Sequence, residues 1–404
     1  MAANRAKWAG GLALAGALLG LVFAAYSTSD YAAHLDRQIH AIHCSFIPGA
    51  PVDSGEGNAC KTALFSPYSA LFRQSFWGGV PISLFALGSF GFFAGFALFV
   101  LLGGARTPKR ALQFMGTIGL TPLLASLVMF TISAVQLHAF CKVCIGIYFS
   151  SGLLAAAGLM AWLALRDDAS QASPRPPGSA LMLGGWLAAL GAASVLPALV
   201  YVSTLPDYRP MMSSCGKLAV ATEAHGALVK LPTSSPVQAV TLFEDPLCPT
   251  CKAFHERMVV EGVFERLDVT LAMFPLDNEC NWMLDRTLHP GACTLSKAVL
   301  CGKERARAVL EWSYAEQETL RDIAKTNPKA LRERISAKWG ADVNACIDEK
   351  DTTVRLNRHL HFAADNHVPV STPQMFLGDK RLCDEDTDLG LKYTLAQLAP
   401  QVLP

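Results

Sequence analysis

The first half of the chain does not alternate between apolar and polar residues; it runs apolar in long blocks. Trp8–Tyr26, Val80–Leu102, Leu112–Leu137, Phe140–Leu165 and Ala180–Val202 are each long enough to cross a bilayer as a helix. The first block follows Arg5 and Lys7, and no small-residue cleavage site ends it. It therefore reads as a membrane span rather than a removed signal peptide. Residues 28–78 are mixed and polar, with a Pro/Gly/Ser stretch between Cys44 and Cys60. The linker from Arg166 to Gly178 holds Pro174, Pro176 and Pro177, and so cannot be one regular helix.

From about Ser213 the pattern becomes that of a soluble domain. Val240–Phe243 reads as a strand that ends at Asp245-Pro246, and Cys248–Val260 as a helix. Leu267–Phe274 alternates as a second strand. Residues 295–364 read as several helices, Ser371–Leu377 as a turn into a strand, and Leu389–Leu398 as a terminal helix. No internal repeat or low-complexity tract is present.

Composition agrees with this division. Of 404 residues, 51% are hydrophobic and 17% charged, with a mean hydropathy of +0.30. That is too apolar for an ordinary soluble enzyme and predicts a multi-domain chain in contact with lipid. The formal net charge of +1 gives no reason to expect a nucleic-acid partner. Basic residues orient the bundle: Arg5 and Lys7, then Arg106, Lys109 and Arg110, then Arg166 and Arg175 fall on one face if there are five spans. The 28–78 loop, the turn at His138–Cys141 and everything after residue 203 then share the opposite face. The expected organisation is a four-helix transmembrane domain over 1–168, a linker and fifth helix over 169–212, and a thioredoxin-like domain over 213–404.

Twelve cysteines are present, four of them as C-x-x-C pairs, Cys141/Cys144 and Cys248/Cys251. A strand followed by C-P-T-C at a helix start is the layout of a thioredoxin-type redox site. Two intervening residues let the sulfurs meet, and the helix N-terminus favours a thiolate on the first. Cys248 is the expected nucleophile and Cys251 the resolving thiol. Thr372-Pro373, entering a strand, is the expected cis-proline facing them. The helical stretch between suggests an inserted subdomain. The whole of 217–400 resembles the periplasmic disulfide-handling branch of the thioredoxin superfamily. The competing reading is a zinc site completed by Cys280 and Cys293; the favoured one joins those two in a local disulfide and expects no metal. Cys215, Cys301, Cys346 and Cys383 have no assignment from sequence.

In the bundle, Cys141-Lys142-Val143-Cys144 opens the fourth helix, and Cys44 and Cys60 lie on the same side. Two cysteine pairs on one face form a relay by thiol–disulfide exchange. Loop cysteines can move and helix cysteines cannot, so the loop pair can carry electrons from a soluble partner to the fixed pair.

Residues 8–165 resemble bacterial homologues of vitamin K epoxide reductase. The resemblance is carried by a loop cysteine, Cys60-Lys61-Thr62-Ala63-Leu64-Phe65-Ser66, the Val80-Pro81-Ile82-Ser83-Leu84 entry to the second span, and Cys141-x-x-Cys144 with Tyr148 one turn on. It implies that Cys144 lies nearest a quinone, that Cys141 exchanges with the loop pair through Cys60, and that Cys44 faces the thioredoxin-like domain. Ser66 matches a serine at the start of a short loop helix near the quinone, and Tyr148 a tyrosine that donates to a quinone carbonyl. Their bland alternatives are a helix cap and an interfacial anchor. The polar second-helix residue that the vertebrate enzyme uses near its quinone has no counterpart. No glycine fingerprint for a dinucleotide is present.

The leading expectation is a quinone-dependent protein-disulfide oxidoreductase of a bacterial inner membrane, with its redox loop and thioredoxin-like domain periplasmic. Reduced exported proteins would give electrons to Cys248/Cys251, then Cys44/Cys60, then Cys141/Cys144, then ubiquinone or menaquinone. The alternatives are a transmembrane reductase that keeps periplasmic thiols reduced, for which the inner-face segments hold no cysteine, and a zinc-stabilised membrane binding protein.

Overall fold

The computed structural model describes residues 2–35, 43–46, 57–167, 179–210, 212 and 215–404. The linker prolines Pro174, Pro176 and Pro177, and residues 47–56 between Cys44 and Cys60, lie outside the described residues. The chain divides into two compact units, Met1–Pro206 and Asp207–Pro404.

The first unit runs α1 (Ala2–Leu35), α2 (Gly57–Leu64), a two-stranded hairpin β1 (Ala70–Leu71) and β2 (Val80–Pro81), α3 (Ile82–Gly103), α4 (Lys109–Ile118), α5 (Thr121–Ile132), α6 (Lys142–Asp167) and α7 (Ser179–Thr204). Among the described residues, five helical stretches are long and apolar enough to cross a membrane, and the protein is a membrane protein. Helix α1 packs against both α3 and α6, while α7 leans on α3. Alanines and glycines make that central position possible. Ala6, Ala9, Ala13, Ala17 and Ala24 are buried. A Cβ added at Gly10 would lie 2.8 Å from the Leu101 backbone nitrogen, and one at Gly16 would lie 2.8 Å from Leu153 Cβ. Small residues let the helix backbones approach where apolar burial alone gives little drive.

Two sequence expectations need correction here. The first helix does not end at Tyr26 but continues to Leu35. Its polar end is satisfied inside the unit: Thr28 Oγ1 donates to Ser83 Oγ at 2.8 Å, and Tyr31 OH donates to the Gly78 carbonyl at 2.5 Å. The third span is not one regular helix. Pro122 has no N–H to give the Ile118 carbonyl, so α4 and α5 part at Gly119–Leu120. A π-helical turn, Ser133–Leu137, then ends at His138 in the left-handed region (φ 47°).

The second unit is an α/β fold: β3 (Val229–Leu231), β4 (Gln238–Glu244), α8 (Pro249–Val260), β5 (Leu267–Met273), α9 (Ala292–Cys301), α10 (Ala306–Ala315), α11 (Gln317–Thr326), α12 (Pro328–Trp339), α13 (Ala341–Cys346), α14 (Lys350–Asp365), β6 (Gln374–Leu377), β7 (Lys380–Arg381) and α15 (Leu391–Leu398). The sheet order is β3-β5-β4-β6-β7, with β4 and β5 parallel and every other pair antiparallel. A parallel β4–α8–β5 crossover followed by a β6–β7 hairpin and a closing helix is the thioredoxin fold, with α9–α14 inserted between its halves. Strand β4 is central and covered on both faces. Val240 and Leu242 join Phe254 and Met258 of α8 in one core, and Phe243 packs with Phe362 and Phe376 in another. Both cores fix the end of β4, and with it the C-P-T-C.

Candidate redox-active site

Each C-x-x-C is built the same way. Cys248 is the N-cap of α8 and Pro249 its first helical residue, where the missing N–H is harmless. The Lys252 N–H reaches the Cys248 carbonyl at 3.1 Å. In the bundle, Cys141 precedes α6. Its carbonyl accepts from Ile145 N at 2.9 Å, and its sulfur accepts from Cys144 N at 3.3 Å. Sulfur here takes the place of an oxygen capping an otherwise orphan N–H. Each pair therefore sits at a positive helix end that favours thiolate on its first cysteine.

In the thioredoxin-fold unit, the Thr372–Pro373 bond is cis and leads into β6. Thr372 O lies 3.5 Å from Cys248 Sγ and 3.0 Å from Thr250 Oγ1, which itself sits 2.8 Å from Cys248 Sγ. Gln317, buried on α11, donates to the Pro246 and Cys248 carbonyls at 3.2 and 3.0 Å. The Cys248 thiol is brought down to about 6, first by the Cys251 side chain, then, against burial, by Thr250 and Thr372. Burial, then the hydrogen bond with Cys248 and that neighbour's charge, push Cys251 well up. One sulfur is thus a ready nucleophile at neutral pH and its partner stays protonated, the division of labour that disulfide exchange needs. Glu244, wholly buried at the end of β4, is raised to about 7 by burial, and Tyr314 OH donates to it at 3.1 Å.

In the membrane unit, Cys44 and Cys60 form a disulfide with a Cα–Cα distance of 5.9 Å, both sulfurs buried. Cys60 is carried by α2, which lies against the π-turn before Cys141. Cys144 and Tyr148 share a face of α6. Tyr148 lies beside Ser133 and packs edge-on against Phe130 at 6.0 Å, with Phe140 5.9 Å beyond. The Tyr148 hydroxyl, one turn from Cys144 and beside the Phe130–Phe140 pair, is a donor that could hold a flat ring with carbonyl oxygens. Ser66 departs from its expectation in its place relative to the loop helix. The loop helix is Gly57–Leu64, so Ser66 follows it rather than starting it, and its Oγ donates to the Ala63 carbonyl at 3.0 Å.

The remaining cysteines pair off. Cys280 joins Cys293, which removes two of the four ligands of the zinc alternative. Cys215 joins Cys383 and Cys301 joins Cys346. The free cysteines are the two C-x-x-C pairs. Sequence reading missed Glu244, Asp245, Tyr314, Gln317 and His289 around the C-P-T-C. The one available signal was an acidic pair, Glu244-Asp245, directly before it; Gln317 and His289 arrive only through the tertiary fold.

Residues 12–159 match the vitamin K epoxide reductase family. No curated protein matches the chain. Among solved structures, reduced DsbA1 from Neisseria meningitidis is 15% identical over 46% of this chain and 96% of its own, with a TM-score of 0.31. The oxidoreductase NmDsbA1 from N. meningitidis is 15% identical over 43% of this chain and 91% of its own, also with a TM-score of 0.31. With a family domain built round one C-x-x-C and a thioredoxin fold built round another, the chain is a membrane thiol–disulfide oxidoreductase carrying a vitamin K epoxide reductase family domain.

Proposed function

We propose that the protein forms disulfides in exported proteins and delivers their electrons to a membrane quinone, ubiquinone or menaquinone. Substrate dithiols reduce Cys248/Cys251, that pair reduces Cys44/Cys60, and the loop pair reduces Cys141/Cys144. Each transfer is an exchange: a thiolate attacks a disulfide sulfur, the other sulfur leaves as thiolate, and a second attack by the donor's remaining thiol releases the reduced acceptor. The quinone is the terminal substrate, taking up two electrons and two protons. Cys144 and Tyr148 are the residues proposed to meet it.

The observation that supports this reading is the setting of Cys248: it caps the N-terminus of α8, with Thr250 Oγ1 at 2.8 Å and the Thr372 carbonyl at 3.5 Å from its sulfur, and its thiol is lowered to about 6. A stabilised thiolate stabilises the reduced pair, which makes its disulfide more oxidising than one formed from ordinary protein thiols. The basic residues of the connecting segments support a bacterial inner-membrane topology with the loop and residues 213–404 periplasmic. In this reading residues 1–168 form the quinone-reducing domain, and 169–212 the linker and fifth helix.

The test uses purified protein, a quinone, and a reduced, unfolded protein as electron source. Cys144→Ser should abolish quinone reduction. Cys248→Ser should block the protein substrate yet leave a small dithiol able to drive the bundle. Wild-type behaviour of both variants would refute the relay. Mixed disulfides between cysteine variants of the membrane domain and an inner-face thioredoxin would instead favour the reductase direction.

A further inference from the structure

Asp245 is fully buried in the turn between β4 and the C-P-T-C, and it braces both cysteines. Its backbone N–H points at Cys251 Sγ at 3.5 Å, and its carbonyl accepts from Cys248 N at 3.1 Å. Its carboxylate accepts from Leu247 N at 2.6 Å, from Leu276 N at 2.7 Å and from His289 Nδ1 at 2.8 Å. This bracing has a chemical drawback. A carboxylate held here opposes the negative charge that Cys248 must carry.

His289 reaches Asp245 from a loop that is itself pinned. The Cys280–Cys293 disulfide closes it. Asp277 ties its end, accepting from Gly291 N at 3.0 Å, from Cys293 N at 3.4 Å and from Thr287 Oγ1 at 3.0 Å. The ionisable groups around the ring are Asp245 from the β4–α8 turn, Cys248 at the start of α8 and Arg321 from α11.

We propose that His289 is a positioning residue for exchange at Cys248: its imidazolium neutralises Asp245, so that Asp245 can brace both cysteines without repelling a Cys248 thiolate. The proposal rests on Cys248/Cys251 being a redox pair and adds a charge balance supplied 44 residues downstream of Asp245. In its support, the hydrogen bond to Asp245 raises the His289 pKa despite the opposing effect of burial, and the Cys248 charge adds to the rise. The imidazolium therefore persists toward the pH at which the thiolate forms. The Cys280–Cys293 bridge acquires a role in this: it holds the counter-charge in place and takes no part in the exchange.

The test follows alkylation of Cys248 by iodoacetamide against pH, in the full-length chain in detergent, reduced only mildly so that Cys248/Cys251 opens while Cys280–Cys293 stays closed, by peptide mass spectrometry that reads both pairs. His289→Asn keeps a donor for Asp245 but carries no charge. It should move the thiolate midpoint up by about one pH unit, and adding Asp245→Asn should bring it back. An unmoved midpoint in His289→Asn overturns the proposal, as does a raised midpoint that Asp245→Asn leaves raised. A wild-type midpoint in the ordinary thiol range would instead refute the redox reading itself and take the proposal with it. A second readout needs no substitution. By reciprocity, the His289 ring, observed by NMR in the histidine-labelled full-length chain, should titrate at lower pH once iodoacetamide has capped Cys248. A ring titration indifferent to capping overturns the proposal as well.

Discussion

Asp30 accepts two hydrogen bonds from His43, one from its backbone N–H at 2.9 Å and one from its ring Nδ1 at 2.7 Å. Asp30 sits near the end of α1, almost wholly buried, and His43 immediately precedes Cys44. The Tyr26 ring also packs on His43, centroid to centroid at 4.4 Å. One carboxylate thus ties the chain beside the loop disulfide to the helical bundle, and the same carboxylate is within electrostatic reach of Cys141.

That double tether makes Asp30 a handle on transfer between the loop pair and the helix pair. Asp30→Ala removes both bonds and should slow dithiol-driven quinone reduction by about tenfold, the effect of ~1.4 kcal/mol in a barrier. Asp30→Asn keeps an acceptor and should fall between Asp30→Ala and wild type. Stopped-flow quinone reduction reads the rates. Wild-type turnover in Asp30→Ala would remove any role for the tether in positioning Cys44.

Two glycines of α3 should respond oppositely to the same change. A Cβ at Gly88 would lie 1.9 Å from the Ala193 carbonyl oxygen of α7, whereas nothing lies within 4 Å of one at Gly95. Gly88→Ala must push α7 away and should destabilise the membrane unit by about 1–3 kcal/mol. Gly95→Ala only gains helix propensity and should stabilise it by about 0.5–1 kcal/mol. Thermal unfolding in detergent measures both. Equal midpoints would mean that α7 does not pack against α3 at Gly88.

The Thr250 hydroxyl has one proton and two acceptors within reach, Cys248 Sγ and Thr372 O. When Cys248 is a thiolate the proton should turn to sulfur; when Cys248 is in a disulfide it should turn to the carbonyl. Thr250→Val should therefore raise the Cys248 thiol pKa from about 6, and Thr250→Ser should leave it near wild type. Cys251→Ala should raise it further, since the Cys251 side chain is the larger support. The pH dependence of Cys248 alkylation orders the three variants, and a Thr250→Val profile matching wild type would exclude the hydroxyl from thiolate support.

The parts of this architecture visible in the sequence are those fixed by local pattern. The second, fourth and fifth spans come out within a few residues because unbroken apolar runs have one stable outcome in a bilayer. Both C-x-x-C pairs are visible because spacing alone brings their sulfurs together. The last turns of α1 were hidden because Thr28, Asp30 and Tyr31 look like loop residues until their partners at Ser83, His43 and Gly78 are known. Strands β3 and β7 are three and two residues long, too short to show an alternation. The Cys215–Cys383 bridge spans 168 residues, and no spacing rule reaches that far. His289 has no local feature that marks it; only the fold brings it to Asp245.

Two buried groups should give the thioredoxin-fold unit opposite responses to pH. His359 is fully buried; its Nδ1 accepts from Met273 N and its Nε2 donates to the Ala227 carbonyl, both at 2.8 Å. Burial lowers its pKa from 6.5 to about 4. Between those values the unfolded chain holds the proton and the folded chain does not, so stability falls as pH drops through the window. Glu244 runs the other way: burial raises it from 4.5 to about 7, the folded chain keeps a proton that the unfolded chain loses, and stability falls as pH rises. Each slope is about 1.4 kcal/mol per pH unit. Between roughly pH 4.5 and 6.5 the two contributions should nearly cancel. Removing one group should expose the other. Glu244→Gln should make stability rise with pH across the window and should stabilise the unit by up to ~3 kcal/mol at pH 8. His359→Gln, which can still accept from Met273 and donate to Ala227, should make stability fall with pH instead. Hydrogen exchange of the β4 and β5 amides at several pH values isolates this unit from the membrane helices. Parallel slopes in the two variants would show that the buried pair does not set the pH response.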